Sequence, residues 1–184
     1  MKTKILIACD KYKGNLSALQ VCNTIKDAIY ETAQYLGEKV DIIISPMADG
    51  GEGTVETLVE SLDGKFVDLE VTGPLGNKVI SRFGIIGQET AVIEMSAASG
   101  LWMVPKDARN PLETTTYGTG ELIKKALEMR CSKIIVGIGG SATNDAGMGM
   151  AQALGIRFYD SNKNLLEDIF DNRTNMPQPS NEYF

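Results

Sequence analysis

The sequence predicts an α/β fold: a parallel sheet with helices on both faces (Rossmann-like) plus a second α/β subdomain containing an antiparallel meander. The first part rests on short apolar runs at 4–9 and 40–44 that do not alternate with polar residues, the pattern of strands covered on both faces. It rests equally on the stretches after each run, whose apolar residues recur at helical spacing. Closely spaced strand-like runs at 66–71, 79–86 and 90–95 predict the meander. The chain thus divides into a Rossmann-like portion at 1–64, a second subdomain at 65–160 and a divergent tail at 161–184.

Each element has a local cause. The run at 4–9 stops at Asp10. Ser17 and Gln20 have capping-box spacing, and Val21, Cys22, Ile25, Ala28, Ile29 and Leu36 then share a helical face until Gly37 ends it. A strand at 40–44 and a helix at 52–62, closed by Gly64, follow. Gly73-Pro74-Leu75-Gly76-Asn77 and Gly87-Gln88 supply the turns of the meander. Residues 97–104 have no single reading, and 105–111 form a Pro-bounded loop. Leu122, Ile123, Ala126 and Leu127 mark a helix at 120–129, and 134–138 is a further buried strand. A small-residue helix is expected at 142–154, ending at Gly155, with a short strand at 156–159. Beyond 162 the apolar periodicity fades into loop.

Composition narrows the function. The chain has 184 residues, 43% hydrophobic and 23% charged, with a net charge of −6, so it lacks the basic footprint of a nucleic-acid or anionic-membrane binder. It contains no histidine, which excludes Ser-His-Asp and Cys-His machinery and His-ligated zinc. Proton transfer then falls to carboxylates, Lys, Tyr or water. The three cysteines, Cys9, Cys22 and Cys131, form no C-x-x-C pair. Cys9 and Cys22 read as small buried hydrophobes, and the set suits a reducing cytoplasm. The N-terminal apolar stretch is too short for a signal peptide, and no stretch approaches the ~20 apolar residues of a membrane span. A cytoplasmic protein is expected.

Three glycine-bearing loops follow strands and precede helices: Cys9-Asp10-Lys11-Tyr12-Lys13-Gly14, the stretch from Pro46 to Thr54 around Asp49-Gly50-Gly51-Glu52, and Gly139-Gly140-Ser141 running to Asn144-Asp145. In parallel sheets ligands bind beyond the carboxyl ends of strands, so these loops are placed to converge. Consecutive N–H groups at a helix start make an anion nest, and Gly139-Gly140-Ser141 is the stronger candidate. The plainer alternative is tight strand-to-helix turns with close packing. Asp10, Asp49, Glu52 and Asp145 among such nests point to phosphate with Mg²⁺, although Asp49 and Asp145 are equally suited to capping helices. Lys13 either neutralises a phosphate or is solvated. Arg109-Asn110 either clamps a carboxylate or makes a surface ion pair. Neither G-x-x-x-x-G-K-[ST] nor G-x-G-x-x-G occurs.

At these loops the sequence resembles the bacterial glycerate kinase family, the type without a P-loop. The matching blocks are ACDKYKGNLSA (8–18), PMADGGEGT (46–54), VTGPLGNKV (71–79), VIEMSAASGL (92–101), RNPLETTTYGTGELI (109–123) and GIGGSATNDAGMGMAQALG (137–155), all in order. The resemblance covers about residues 1–166 and implies phosphoryl transfer from ATP to D-glycerate, with Mg²⁺, in a cleft of a two-domain α/β fold. By its motifs, Gly139, Gly140, Ser141, Asn144, Gly50 and Gly51 would line the nucleotide site. Asp10, Lys13 and Asp145 would be catalytic, Arg109 and Asn110 would bind substrate, and Asp49 and Glu52 would hold the metal. Cys9, Lys11, Tyr12 and Asn15 depart from the family's usual first loop, and Ala146 and Met148 replace smaller residues in the last. Family chains run to about twice this length, so the resemblance is to an N-terminal half. A core incomplete in this way predicts little or no kinase activity and a chain that is either self-associated or marginally stable. The competing reading is a non-catalytic phosphometabolite-binding or interaction module derived from such a kinase, and behind it a sugar-phosphate isomerase using the same nests.

Overall fold

A computed structural model describes residues 2–12 and 14–166 of the chain. Strands β1 (Thr3–Ile7) and β2 (Val40–Ile44) pair in parallel, from Thr3 opposite Val40 to Ile7 opposite Ile44. Helix α1 (Ala18–Leu36) connects them, and both its ends form as the local chemistry predicts. Ser17 Oγ accepts from Gln20 N, and Gln20 Oε1 accepts from Ser17 N at 2.9 Å. Gly37 closes the helix at φ 70°, a left-handed conformation that suits glycine. Val21 and Cys22 of α1 are buried, and the Cys22 thiol reaches Ile7 O. Apolar residues on both faces of these strands predict cover on both sides, yet Leu6 and Ile43, adjacent in the register, are 66% and 57% exposed. Helix α1 packs on this pair, and the face bearing Leu6 and Ile43 stays open.

After α2 (Thr54–Ser61) the chain forms the meander β3 (Lys65–Thr72), β4 (Lys78–Ile86) and β5 (Thr90–Glu94), antiparallel throughout. Strand β6 (Lys133–Gly137) then adds parallel to β5, making a mixed sheet in the order β3-β4-β5-β6. A parallel neighbour needs a crossover, which α4 (Tyr117–Glu128) provides. Alternation along the strands splits the core between two faces. Leu122, Ile123 and Ala126 of α4 pack with Val71, Phe83, Ala91 and Ile93 on one side, while Val55 and Val59 of α2 pack with Val92 on the other. Phe83, Ile93 and Leu122 are fully buried, each worth roughly 1.5–3 kcal/mol relative to exposure. The close approach of α2 to β4 requires Gly84, since a Cβ there would lie 2.2 Å from Val59 Cγ2.

The departures from expectation lie where tertiary contacts outvote local pattern. Residues 97–104 resolve into α3 (Ser96–Ser99) and a 3₁₀ turn at Leu101–Met103, and a second such turn, Lys106–Ala108, interrupts the expected loop at 105–111. The helix expected at 142–154 is confined to α5 (Met148–Ala153), because Ala146 and Gly147 adopt φ of 52° and 75° and the loop before them bends away. Strand β7 (Phe158–Tyr159) falls where a short strand is expected, but its partner β8 (Leu165–Leu166) lies in the stretch expected to be loop. Cys9 is only half-buried, unlike Cys22, because the chain leaves the sheet after Ile7. The rest of the tail, 167–184, lies outside the described residues.

Candidate functional site

The loops after β1, β2, β5 and β6 all leave the carboxyl ends of their strands and meet. Gly139 N donates to Gly50 O at 2.9 Å, and Lys11 Nζ pairs with Asp49 Oδ1 at 3.0 Å. Leu101 N donates to Gly140 O and Ala142 N to Ser99 O, both at 2.9 Å, stitching the β5 and β6 loops together. Packing at the first of these contacts explains the glycines. A Cβ at 137 would lie 2.4 Å from Gly50 O, and one at 139 would lie 2.8 Å from Gly51 Cα. The loops enclose a cavity of about 1030 Å³ whose walls include Asp10, Lys11, Asp49, Glu52, Glu94 and Ser96.

Helix termini near the cavity are already filled by the protein's own carboxylates. At α2, Glu94 Oε1 accepts from Gly53 N at 3.3 Å and Oε2 from Val55 N at 3.0 Å. Before α5, Asp145 Oδ1 accepts from Gly147 N at 2.9 Å and Oδ2 from Gly149 N at 3.1 Å. Asp145 Oδ2 also accepts from Thr116 N at 2.9 Å and Thr116 Oγ1 at 2.7 Å, which ties α5 to the start of α4. Burial pushes the Glu94 carboxyl above its ordinary value, and the nearby Glu52 charge adds to the rise against the pull of backbone N–H donors at 53–55.

Asp10, Asp49, Glu52, Gly51, Gly139, Gly140 and Arg109 are brought together around the cavity. Asp10 Oδ1 accepts from Lys11 N at 2.7 Å, and Asp49 Oδ1 also accepts from Gly51 N at 2.9 Å. Arg109 bonds carbonyls of its own wall, Nε to Val104 O at 3.3 Å. Gly50, Ser141, Asn144, Asp145 and Asn110 are not among the lining residues. Gly50 meets Gly137 and Gly139, and Ser141 Oγ turns to Thr143 in its own loop. Asn144 N donates to Pro111 O, and Asn110 shapes its turn through Glu113 and Leu112 N. Lys13 lies outside the described residues. No group of three or more His, Cys, Asp or Glu placed to hold a metal ion occurs among the described residues.

Sequence reasoning passed over Glu94, Ser96, Lys11 and the exposed Trp102, all on the cavity wall. Glu94 carried a readable signal, a carboxylate ending the apolar run Thr90–Glu94 at the carboxyl end of a strand. Ser96 lies inside the family-like block VIEMSAASGL (92–101) but has no periodic signal of its own, and Trp102, just beyond it, has none.

A family model described as the glycerate kinase family matches residues 5–176. A glycerate kinase of Haemophilus influenzae is 53% identical over 159 residues, 86% of this chain and 41% of the relative. A glycerate 2-kinase of Escherichia coli is 52% identical over 165 residues, 88% and 42% respectively. A crystal structure of a Salmonella typhimurium LT2 protein assigned as glycerate kinase 2 superposes with a TM-score of 0.77 at 49% identity, covering 91% of this chain and 44% of that one. The chain therefore spans about two fifths of the length of these relatives.

Proposed function

The chain belongs to the glycerate kinase family, and from that premise we propose that it transfers the γ-phosphoryl group of ATP to a hydroxyl of D-glycerate. The observation that carries this reading is the convergence of four strand-end loops on one cavity that holds Asp10, Asp49, Glu52, Gly139, Gly140 and Arg109 together. In the reaction the substrate hydroxyl oxygen bonds to the γ-phosphorus, the bond to the bridging oxygen of ADP breaks, and the hydroxyl proton leaves to a base. Such transfers pass through a loose transition state, so positioning and charge neutralisation do most of the work and no histidine is needed. Asp10 is our choice of base over Asp145, because Asp10 faces the cavity and both Asp145 oxygens are occupied. Arg109 suits the carboxylate of the acid, and Lys13 a phosphate oxygen.

Mg²⁺ bound with the nucleotide would neutralise the phosphates. The exposed carboxylates of Asp49 and Glu52, with no metal-holding cluster among the described residues, fit an ion carried mainly by phosphates and water, which they would hold directly or through its waters. These substrates and the free cysteines suit the cytoplasm. The test is ADP release dependent on D-glycerate and Mg-ATP, with product analysis for 2- against 3-phosphoglycerate. The name of the Escherichia coli relative favours the 2-hydroxyl. Asp10→Asn is expected to lower turnover about 10²–10⁴-fold. Glycerate binding without turnover would instead support a non-catalytic module, and binding of neither substrate would overturn the reading.

A further inference from the structure

Resting on the kinase reading, we propose that Ser96 Oγ and the Gly140 N–H form a subsite for an anionic oxygen of the ligand, either the acid's carboxylate or a phosphoryl group. Ser96 stands just past the end of β5, is 0% exposed, and belongs to the cavity wall. Its hydroxyl makes no hydrogen bond among the described residues. A buried hydroxyl without a partner destabilises the fold, so its presence at a cavity calls for a ligand to complete it. Gly140 lies directly against it. A Cβ at 140 would be 3.2 Å from Ser96 Cβ and 3.9 Å from Ser96 Oγ, and φ there is +74°. Gly140 O is taken by Leu101 N, while its N–H has no hydrogen-bond partner among the described residues.

Ser81 Oγ on the same cavity wall also lacks a partner among the described residues; Gly140 beside Ser96 and two further observations favour the Ser96 spot over it and over the rest of the cavity. The N-terminus of α2 and the N–H groups around α5 are occupied by Glu94 and Asp145, so an incoming anion must be received elsewhere. A cation stands on the same wall: Arg109 Nη2 reaches Leu101 O at 3.5 Å, and Leu101 N is the residue bonded to Gly140 O. Its charge favours an anion at the rim, where two neutral donors alone would bind weakly.

The chain's single tryptophan makes the test direct. Trp102 lines the cavity, is 61% exposed, and donates its indole N–H to Ser96 O at 3.0 Å, so its fluorescence reports on the subsite. Wild type and Ser96→Ala are titrated with D-glycerate, Mg-ATP and inorganic phosphate, and both are melted. The expected result is an affinity about tenfold weaker in Ser96→Ala, the worth of one hydrogen bond to an anion, with a melting temperature equal to or above wild type. Weakening confined to D-glycerate assigns the subsite to the carboxylate, and weakening of Mg-ATP or phosphate assigns it to a phosphoryl group. Ser96→Cys, similar in shape but a poor donor, is expected to follow Ala and so separates hydrogen bonding from packing. If wild type binds both substrates and Ser96→Ala binds them equally well, the subsite is refuted and the kinase reading stands. If wild type binds neither substrate, the kinase reading falls and phosphate decides: binding lost in Ser96→Ala keeps the subsite, and no phosphate binding to wild type overturns it.

Discussion

Removing the Asp145 carboxylate should loosen the join between α4 and α5 far more than it alters the chemistry. The side chain serves four donors: Thr116 N, Thr116 Oγ1 and Gly149 N on Oδ2, and Gly147 N on Oδ1. At about 1 kcal/mol for each lost bond, Asp145→Ala costs about 4 kcal/mol. For a chain of this size each kcal/mol moves the melting temperature about 2–4 °C, which gives a fall of about 8–16 °C. Asp145→Asn can keep its amide oxygen at the Oδ2 position, serving three donors, and loses only the bond from Gly147 N. That loss is about 1–2 kcal/mol, or about 2–8 °C. Thermal melts followed by circular dichroism read these values, and Mg-ATP titration of the Asn variant reads function separately. An Ala variant within about 2 °C of wild type, or an Asn variant that falls as far as Ala, would refute the fastening role. Normal melting of the Asn variant with lost Mg-ATP binding would place Asp145 in the chemistry after all.

Gly139→Ala sets a methyl 2.8 Å from Gly51 Cα, against backbone that has no rotamer to yield, so a loss of about 1–3 kcal/mol is expected in a melt and an unchanged midpoint would contradict the packing role. Glu94, with its carboxyl raised by burial, binds its proton more readily folded than unfolded. The stabilisation from that proton is complete below the unfolded value of about 4.3 and is lost as pH rises through the folded value. The advantage of wild type over Glu94→Gln in melting temperature should therefore shrink with rising pH across this window, and a constant difference would contradict it. The open face at Leu6 and Ile43 predicts self-association, seen as a scattering mass that grows with concentration and falls in Leu6→Lys. A wild-type chain monomeric at every concentration would remove that prediction.

How far the sequence could be read depended on the range of the forces involved. Helix α1 was legible at both ends because Ser17, Gln20 and Gly37 act on backbone within a few residues of themselves. The helix expected at 142–154 is shorter in the structure, Met148–Ala153, for the opposite reason. Its small residues favour a helix locally, while Asp145 draws in Thr116, 29 positions away, and holds the loop bent. Loop position alone marks Asp10, Asp49, Glu52, Gly139 and Arg109, which the structure brings to the cavity wall, and by the same signal Asn110 and Asn144, which it leaves off that wall.

By itself the sequence determined the fold class, the ends of α1, the absence of histidine among this chain's own residues, and the positions of the glycine-bearing loops at strand ends. Those are properties of composition and of contacts between near neighbours. Only the tertiary structure decided which helix termini are filled by the chain's own carboxylates, which carboxylates face the cavity, and that the hydroxyls of Ser81 and Ser96 there lack a partner among the described residues. Glu94 closes the N-terminus of α2 across 39 residues of chain, and Gly139 seats against Gly50 from a different strand end. Hydrogen bonds of that span are made by groups that folding brings within 3 Å of one another, and no local period in the chain encodes them.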